Sequence, residues 1–401
     1  MHSLETMLDL LRQQPLPPPR LEMAPLHRLP GRVSAQTVRA GHDLPAFDAS
    51  AMDGYAIAAT PERPLGPYTL MGCVAAGAPD GGVLEPGQAM RVLTGAPLPR
   101  GCHGVVAQEH ARLEADGVVL AAPLCYGAHM RLRGSELMRG ERLVAEGERL
   151  KALHIGLLAA QGLSALQVYA RPRVGVLSTG DELRAPGETL APGQIYDANR
   201  PQLLALLDSV GAEAVDLGSV ADDPAATRAR LREATEVCDL ILSSGGASVG
   251  DADHIRDAVD ALGSISHWQV AIKPGKPFAF GHVLGRPFVA LPGNPVAAAI
   301  TFLLLARPLV RRAGGEAVAP QEAVAYPLLD AADNPGPRRH FLRGRFVDLD
   351  GVRHVEPFEQ QGSAALATLA SAEVLLELPA QARLAAGNRV RCHPLTTLGL
   401  R

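Results

Sequence analysis

The chain has 401 residues, a net charge of −4, 41 glycines, 33 prolines and only 4% aromatics. That length accommodates two to four domains and a sizeable core, and the glycine and proline content predicts many turns and short strands. With no basic footprint and no dense Lys/Arg stripe interleaved with aromatics, nucleic acid is excluded as a partner.

In chain order, Leu4, Met7, Leu8 and Leu11 recur at helical spacing, with Ser3 as a cap before Glu5 and the proline run 15–19 as the stop. The N-terminal stretch 1–20 carries no basic n-region and no long apolar run, so a secretion signal is not expected and a soluble, cytoplasmic protein is. Leu44-Pro45 marks a boundary. Beyond it SAMDGYAI, with its Asp53-Gly54 turn, and the short runs YTLMGCV, AMRVLTG and HGVVAQEH predict a β-rich domain over 45–133. The pattern changes at Gly134, and a helix is expected from about Lys151 to Gln161, closed by Gly162. Residues 1–44 and 134–170 are expected to join as one discontinuous, elongated domain whose apolar helix stripes suit dimerisation.

Arg171-Pro172 opens a region of clear alternation. The apolar runs 173–179, 213–220, 239–246 and 286–293 alternate with helices starting near Pro201, Pro224, Asp251 and Pro295. This predicts a three-layer α/β domain over 171–316 with a mainly parallel sheet. Three of these helices place proline near the first helical position, with Asp223 or Asn294 as cap. The apolar stretch VAAAITFLLLARPLV is broken by Arg307 and Pro308 and reads as a core helix, not a membrane span. Residues 317–401 return to short Gly/Pro-bounded runs, expected to form a small C-terminal β-barrel. The five cysteines are odd in number and contain no CxxC pair, so reduced thiols are expected.

Ligands of open α/β sheets gather at the carboxyl ends of the strands. Here those ends carry Ser178, Thr179, Asp181 and Glu182; Asp222 and Asp223; SSGGASVGDAD with Gly245, Gly246, Ser248, Asp251 and Asp253; and the turn Pro292 to Pro295. A glycine-rich turn running into a helix exposes backbone N–H groups to an oxyanion. Acidic residues at the same mouth would repel that anion unless a hard divalent cation lies between. Lys273 and Lys276, on the stiff loop KPGKP, add positive point charges. Each piece also has a plainer reading: a Gly-Gly turn, an Asp cap, a helix-starting proline. Their shared location favours a site for a magnesium–phosphate ligand. No nucleophile triad or histidine cluster is evident, so the chemistry implied is positioning and metal-assisted exchange.

Seven motifs, SAMDGYA, LTGAPLP, STGDEL, GQIYDANR, SSGGASVGDAD, IKPGKPFAFG and LPGNPV, in this order, closely resemble the molybdopterin molybdenumtransferase family, which includes a domain of the scaffold gephyrin. The resemblance spans essentially the whole chain. It implies insertion of molybdenum from molybdate into adenylylated molybdopterin with release of AMP, assisted by Mg²⁺. It also implies a homodimer whose active cleft joins the β-rich domain of one subunit to the α/β domain of the other. Carried over by motif, Asp53 and Thr94 come from the β-rich side, and Glu182, Asp222, Asp253, Pro292 and Pro295 from the α/β side. Gly245, Gly246 and Ser248, with Ser178 and Thr179, would cradle phosphate; Lys273 and Lys276 would neutralise phosphate or molybdate. Glu182, Asp222 and Asp253 are the metal candidates. The family's Gly-Glu-Asp run is Gly134-Ser135-Glu136 here, so Glu136 keeps the carboxylate with one more methylene. Rival expectations are the preceding step, molybdopterin adenylyltransferase, and a catalytically silent gephyrin-like scaffold. The adenylyltransferase and downstream cofactor-handling proteins are the expected protein partners.

Overall fold

Helix α1 (Leu4–Gln13) forms as its spacing predicts, with the Ser3 hydroxyl accepting the Thr6 N–H at 3.1 Å. Its far end is closed by Arg312, whose guanidinium donates to the carbonyls of Leu11 at 2.6 Å, Arg12 at 2.7 Å, and Gln14. The computed structural model describes residues 1–221, 223–247, 254–319 and 323–400. The chain divides into two units, one made of Met1–Gln36, Glu146–Ile155 and Ala165–Arg401, the other of Thr37–Ala145 and Gly156–Ser164.

This division differs from the expected grouping of 1–44 with 134–170. Leu4, Met7 and Leu11 join the core of the α/β sheet, so α1 belongs to the larger unit. Strand Leu21–Pro25 pairs antiparallel with Ala165–Tyr169, which also pairs with Val33–Ser34. Where the chain leaves this unit it also returns: the Ser34 N–H donates to the Glu148 carbonyl at 3.0 Å, and the Gly147 N–H to the Ser34 carbonyl at 2.8 Å.

The smaller unit contains a four-stranded sheet of β1 (Gly54–Ile57), β2 (Thr69–Val74), β3 (Gln88–Val92) and β4 (Gly104–Ala107), in the order β2-β3-β1-β4. Successive residues serve opposite faces, as the pleat requires. Ala56 packs with Val92 and Val105, while Ile57 packs with Tyr68 and Ala89.

In the larger unit the chain runs β5 (Arg173–Thr179), α2 (Asn199–Ser209), β6 (Glu213–Val220), α3 (Pro224–Val237), β7 (Leu240–Ser244), α4 (His254–Leu262), β8 (Gly263–Gln269), β9 (Pro277–Val283), β10 (Arg286–Leu291) and α5 (Pro295–Thr301). The sheet order is β6-β5-β7-β10-β9-β8. The first four strands are parallel, β9 runs against them, and β8 pairs antiparallel with β9. Alternation assigns the two faces. Val174, Val176, Leu240 and Leu242 meet α2, α5 and α1; Leu177, Ile241 and Phe288 meet Leu231 of α3 and Val259 of α4. Strands buried on both faces explain the continuous apolar runs.

The apolar stretch after Asn294 is helical from Pro295 to Ala313, with a π turn over Phe302–Ala306 before α6 (Arg307–Ala313). Pro308 has no N–H to give the preceding turn, and the wider turn accommodates it. Beyond it, β11 (Val324–Pro327), β12 (Arg339–Leu349), β13 (Val352–Pro357), β14 (Val374–Leu378) and β15 (Arg389–Pro394) pair in the order β13-β12-β14-β15-β11. Leu328, just after β11, bridges Val355 of β13, so the circuit of pairings returns on itself. Among the described residues no helix is long and apolar enough to cross a membrane.

Candidate functional site

The carboxyl edge of the parallel strands is built by register. Ser178, next to last in β5, lies beside Ser244, ending β7, and Ser244 lies beside Leu291 of β10. The Ser243 hydroxyl donates to the Gly245 carbonyl at 2.9 Å, and the Gly245 N–H to the Leu291 carbonyl at 3.0 Å. Gly246 has φ +78, and a Cβ there would fall 2.6 Å from the Ile255 side chain; only glycine fits the turn. The Thr179 hydroxyl stands against Gly245. Ser178 is fully buried, and its hydroxyl has no hydrogen-bond partner among the described residues. Four predicted residues, Ser178, Thr179, Gly245 and Gly246, are therefore brought together.

Glu182 lies just beyond β5, its carboxylate folded over Gly180 where a Cβ would come within 2.6 Å of Oε2. Asp223 caps α3, accepting the Ala225 and Ala226 N–H groups at 2.9 and 3.3 Å, which makes it a cap. Asp222, Ser248, Asp251 and Asp253 lie outside the described residues. Helix α2 starts at Asn199, two residues ahead of Pro201, because Asp197 Oδ1 accepts the N–H groups of both Asn199 and Arg200 at 3.1 Å. Asp197 is buried and paired with Arg200, which also grips Asp216 at 2.6 Å.

Beside β10 the edge opens into a cleft of about 610 Å³ lined by Lys273, Lys276, Pro292, Asn294, Arg338 and Ser363. Pro295 starts α5 but does not line this cleft. Its described lining holds three cations and no carboxylate. The field is felt by His340, paired in register with Lys273. Burial, reinforced by Lys273, Arg343 and Arg338, pushes its pKa down to about 4. Arg338 and Ser363 escaped sequence reasoning. They sit far along the chain: Arg338 donates to the Ile272 carbonyl at 3.0 Å, and Arg343 holds the loop that leads to Ser363. Its buried guanidinium donates to the carbonyls of Gln360 and Gly362 at 2.9 and 3.2 Å, and Gln361 returns a bond to the Arg343 carbonyl at 2.8 Å.

In the smaller unit, antiparallel pairing of Gly54 with Val92 brings Asp53 to Thr94. Asp53 Oδ1 accepts the Thr94 N–H at 2.7 Å and the Thr94 hydroxyl at 2.8 Å. These two bonds, the backbone one first, hold the carboxyl below the usual aspartate range. Glu136 lines a cleft of about 430 Å³ with Phe47, Gly95, Arg131 and Ser135, so it shares a cavity with the neighbour of Thr94.

Among the described residues no group of three or more His, Cys, Asp or Glu is placed to hold a metal ion. All five cysteines are free. Burial raises the Cys238 thiol to about 11 and the Cys392 thiol to about 12, which keeps both protonated and inert.

A parallel-sheet edge with a glycine turn and a cation-lined cleft places the candidate site where open α/β proteins take their ligands. The comparisons with known proteins make the class specific. The model described as the MoeA N-terminal region (domains I and II) matches residues 2–162, that of a probable molybdopterin-binding domain matches 175–312, and that of the MoeA C-terminal region (domain IV) matches 326–395. The molybdopterin molybdenumtransferase of Haemophilus influenzae is 33% identical over 394 residues, covering 97% of each chain. Molybdopterin molybdenumtransferase 2 of Mycobacterium tuberculosis H37Rv is 35% identical over 387 residues, covering 93% of this chain and 94% of its own. A solved molybdopterin biosynthesis moeA protein of Pyrococcus horikoshii OT3 superposes with a TM-score of 0.82 at 26% identity, covering 97% of this chain and 98% of its own. The chain belongs to the molybdopterin molybdenumtransferase family.

Proposed function

We propose that this chain inserts molybdenum from molybdate into adenylylated molybdopterin and releases AMP. The observation that carries the reading is the pairing of two anion-binding features along one sheet edge, the glycine turn after β7 and the cation-lined cleft beyond β10. A substrate with a phosphate-linked adenylyl group and an incoming tetraoxo anion presents two such charges. The turn at Gly245 and Gly246, with the Ser178 and Thr179 hydroxyls, binds the phosphate end. Lys273, Lys276 and Arg338 hold the oxyanion as fixed charges in a cleft whose described lining has no carboxylate. Asp53, oriented by Thr94 and ionised at neutral pH, acts with Glu136 on the substrate from the smaller unit.

Magnesium fits the reading through Glu182, whose carboxylate folds over a glycine that leaves room for it; Asp222 and Asp253 are the further candidates. Mg²⁺ is commonly bound by one or two carboxylates plus substrate phosphate, and when bound it would neutralise charge on the departing AMP. The chain would act in the cytoplasm as a homodimer whose cleft joins Asp53, Thr94 and Glu136 of one copy to Glu182, Lys273 and Pro295 of the other.

The test is a single-turnover assay with adenylylated molybdopterin, molybdate and Mg²⁺. AMP release that requires molybdate, with molybdenum recovered on the pterin, is expected. Adenylylation of free molybdopterin from ATP would instead place the protein at the preceding step, and neither reaction in a folded dimer would make it a scaffold.

A further inference from the structure

Asn199 bridges the two anion-binding features. Its side-chain Nδ2 donates one N–H to the Ser244 hydroxyl at 2.6 Å and the other to the Gly293 carbonyl at 2.7 Å. Ser244 is the last residue of β7, directly before the glycine turn; Gly293 lies between Pro292 and Asn294 in the wall of the basic cleft. We propose that Asn199 is a positioning residue that makes the glycine turn and the cleft move as one body, a role resting on the function proposed above.

Three observations separate this role from ordinary packing. The sheet is already held here by the backbone bond from Gly245 to Leu291, so the amide is not needed to keep β7 beside β10. What it ties are the last side chain of β7 and a carbonyl two residues past β10, where the turn and the cleft wall diverge. The side chain is 8% exposed, so water cannot take over its two bonds. Its own backbone is fixed from behind: Asp197, 2% exposed, accepts the Asn199 and Arg200 N–H groups and pairs with Arg200, which is anchored in turn on Asp216. The chemistry demands this side chain. Asparagine supplies two N–H bonds from one nitrogen on a short stem. Aspartate would keep the shape and could accept from Ser244, but would set a second acceptor against the Gly293 carbonyl.

Oxyanion binding in the cleft should then be felt at the turn, and its loss should leave both subsites able to bind but unable to cooperate. In Asn199→Ala and Asn199→Asp, affinity for molybdate alone and for AMP alone should stay near the wild-type values. Molybdate-dependent AMP release at saturation should fall at least about tenfold, since small misplacements of bound groups cost that much. Val355→Ala, in the core of the C-terminal sheet, serves as a destabilised control that keeps its turnover. Amide exchange provides a readout independent of turnover. Added molybdate should protect 273–277 and 291–296 in every variant, and 243–247 in the wild type alone. Protection of 243–247 in Asn199→Ala equal to wild type overturns the proposal, as does unchanged turnover. If wild-type protein released no AMP, the functional reading would fail, while the exchange pattern would still decide the coupling.

Discussion

Asp53 earns its place through Thr94. With its folded pKa below the unfolded value, this contact contributes stability across neutral pH and loses it only as pH falls through the lowered value. Thr94→Val removes one of the two donors, so the acid limb of the pH–rate profile should move upward toward the ordinary aspartate range. An unmoved limb would mean that another group sets it. Among the described residues, Lys273 and Lys276 face no carboxylate in their cleft. Lys273→Met and Lys276→Met should each raise the KM for molybdate roughly tenfold, on the scale of one charge-assisted hydrogen bond. Calorimetric titration with molybdate checks this directly. Glu136→Ala is the test of the lengthened carboxylate: full insertion activity there, with activity lost in Asp53→Ala, would remove Glu136 from the site.

A fourth residue-scale case lies away from the site. Glu316 is buried and receives Arg311 together with Arg149, the latter at 2.6 Å. Burial works to raise its pKa, and the two guanidinium bonds overcome it, leaving the pKa lowered. Its contribution is therefore complete above the unfolded glutamate pKa and is lost as pH falls through the folded one. Glu316→Gln should cost about 3 kcal/mol, because two partly buried cations lose their partner. A thermal melt at pH 7 reads that loss, and the gap from wild type should narrow on acidification.

Among elements, the parallel strands were the most legible part of the sequence, because burial on both faces writes an unbroken apolar run. The antiparallel pair was not. PFAFGHV of β9 follows directly on KPGKP, so its lysines and prolines read as a stiff loop, and only pairing with β8 and β10 reveals a strand. The start of α2 falls near Pro201 as read, and Asp197 rather than the proline sets its first turn, two residues earlier. The glycine turn and the lysines could be read locally. Arg338 and Ser363 could not, since one is fixed on the distant Ile272 carbonyl and the other follows a loop hung from the buried Arg343, bonds that no local pattern encodes. Close packing also makes a prediction here. A Cβ at Gly175 in β5 would lie 2.6 Å from Leu217 and 2.9 Å from the Cys238 sulfur. Gly175→Ala should cost about 1–3 kcal/mol by overpacking, seen as a lower denaturant midpoint with an unchanged slope.

For the whole molecule, the proposed cross-subunit cleft has a stoichiometric signature. Asp53→Ala and Glu182→Ala homodimers should each be inactive. If the two residues of one cleft come from different copies, random exchange gives half heterodimers, each with one intact cleft of two, or about a quarter of wild-type turnover. No recovery on mixing would place both residues of a cleft on one chain.

The hydrogen bonds joining Ser34 to Gly147 and Glu148 carry a consequence of another kind. They bring together the points where the chain departs toward residues 37–145 and comes back, so the excursion begins and ends at one doorway. A segment mounted in this way is a cassette. Lengthening or shortening it changes the closing entropy only slowly, and the host need not be redrawn to receive a new version. The exposed turn at Ala115-Asp116, between the paired strands Ala111–Glu114 and Gly117–Leu120, is where such edits should be absorbed first. Residues 37–145 can then be reworked while the sheet edge of the larger unit stays as it is.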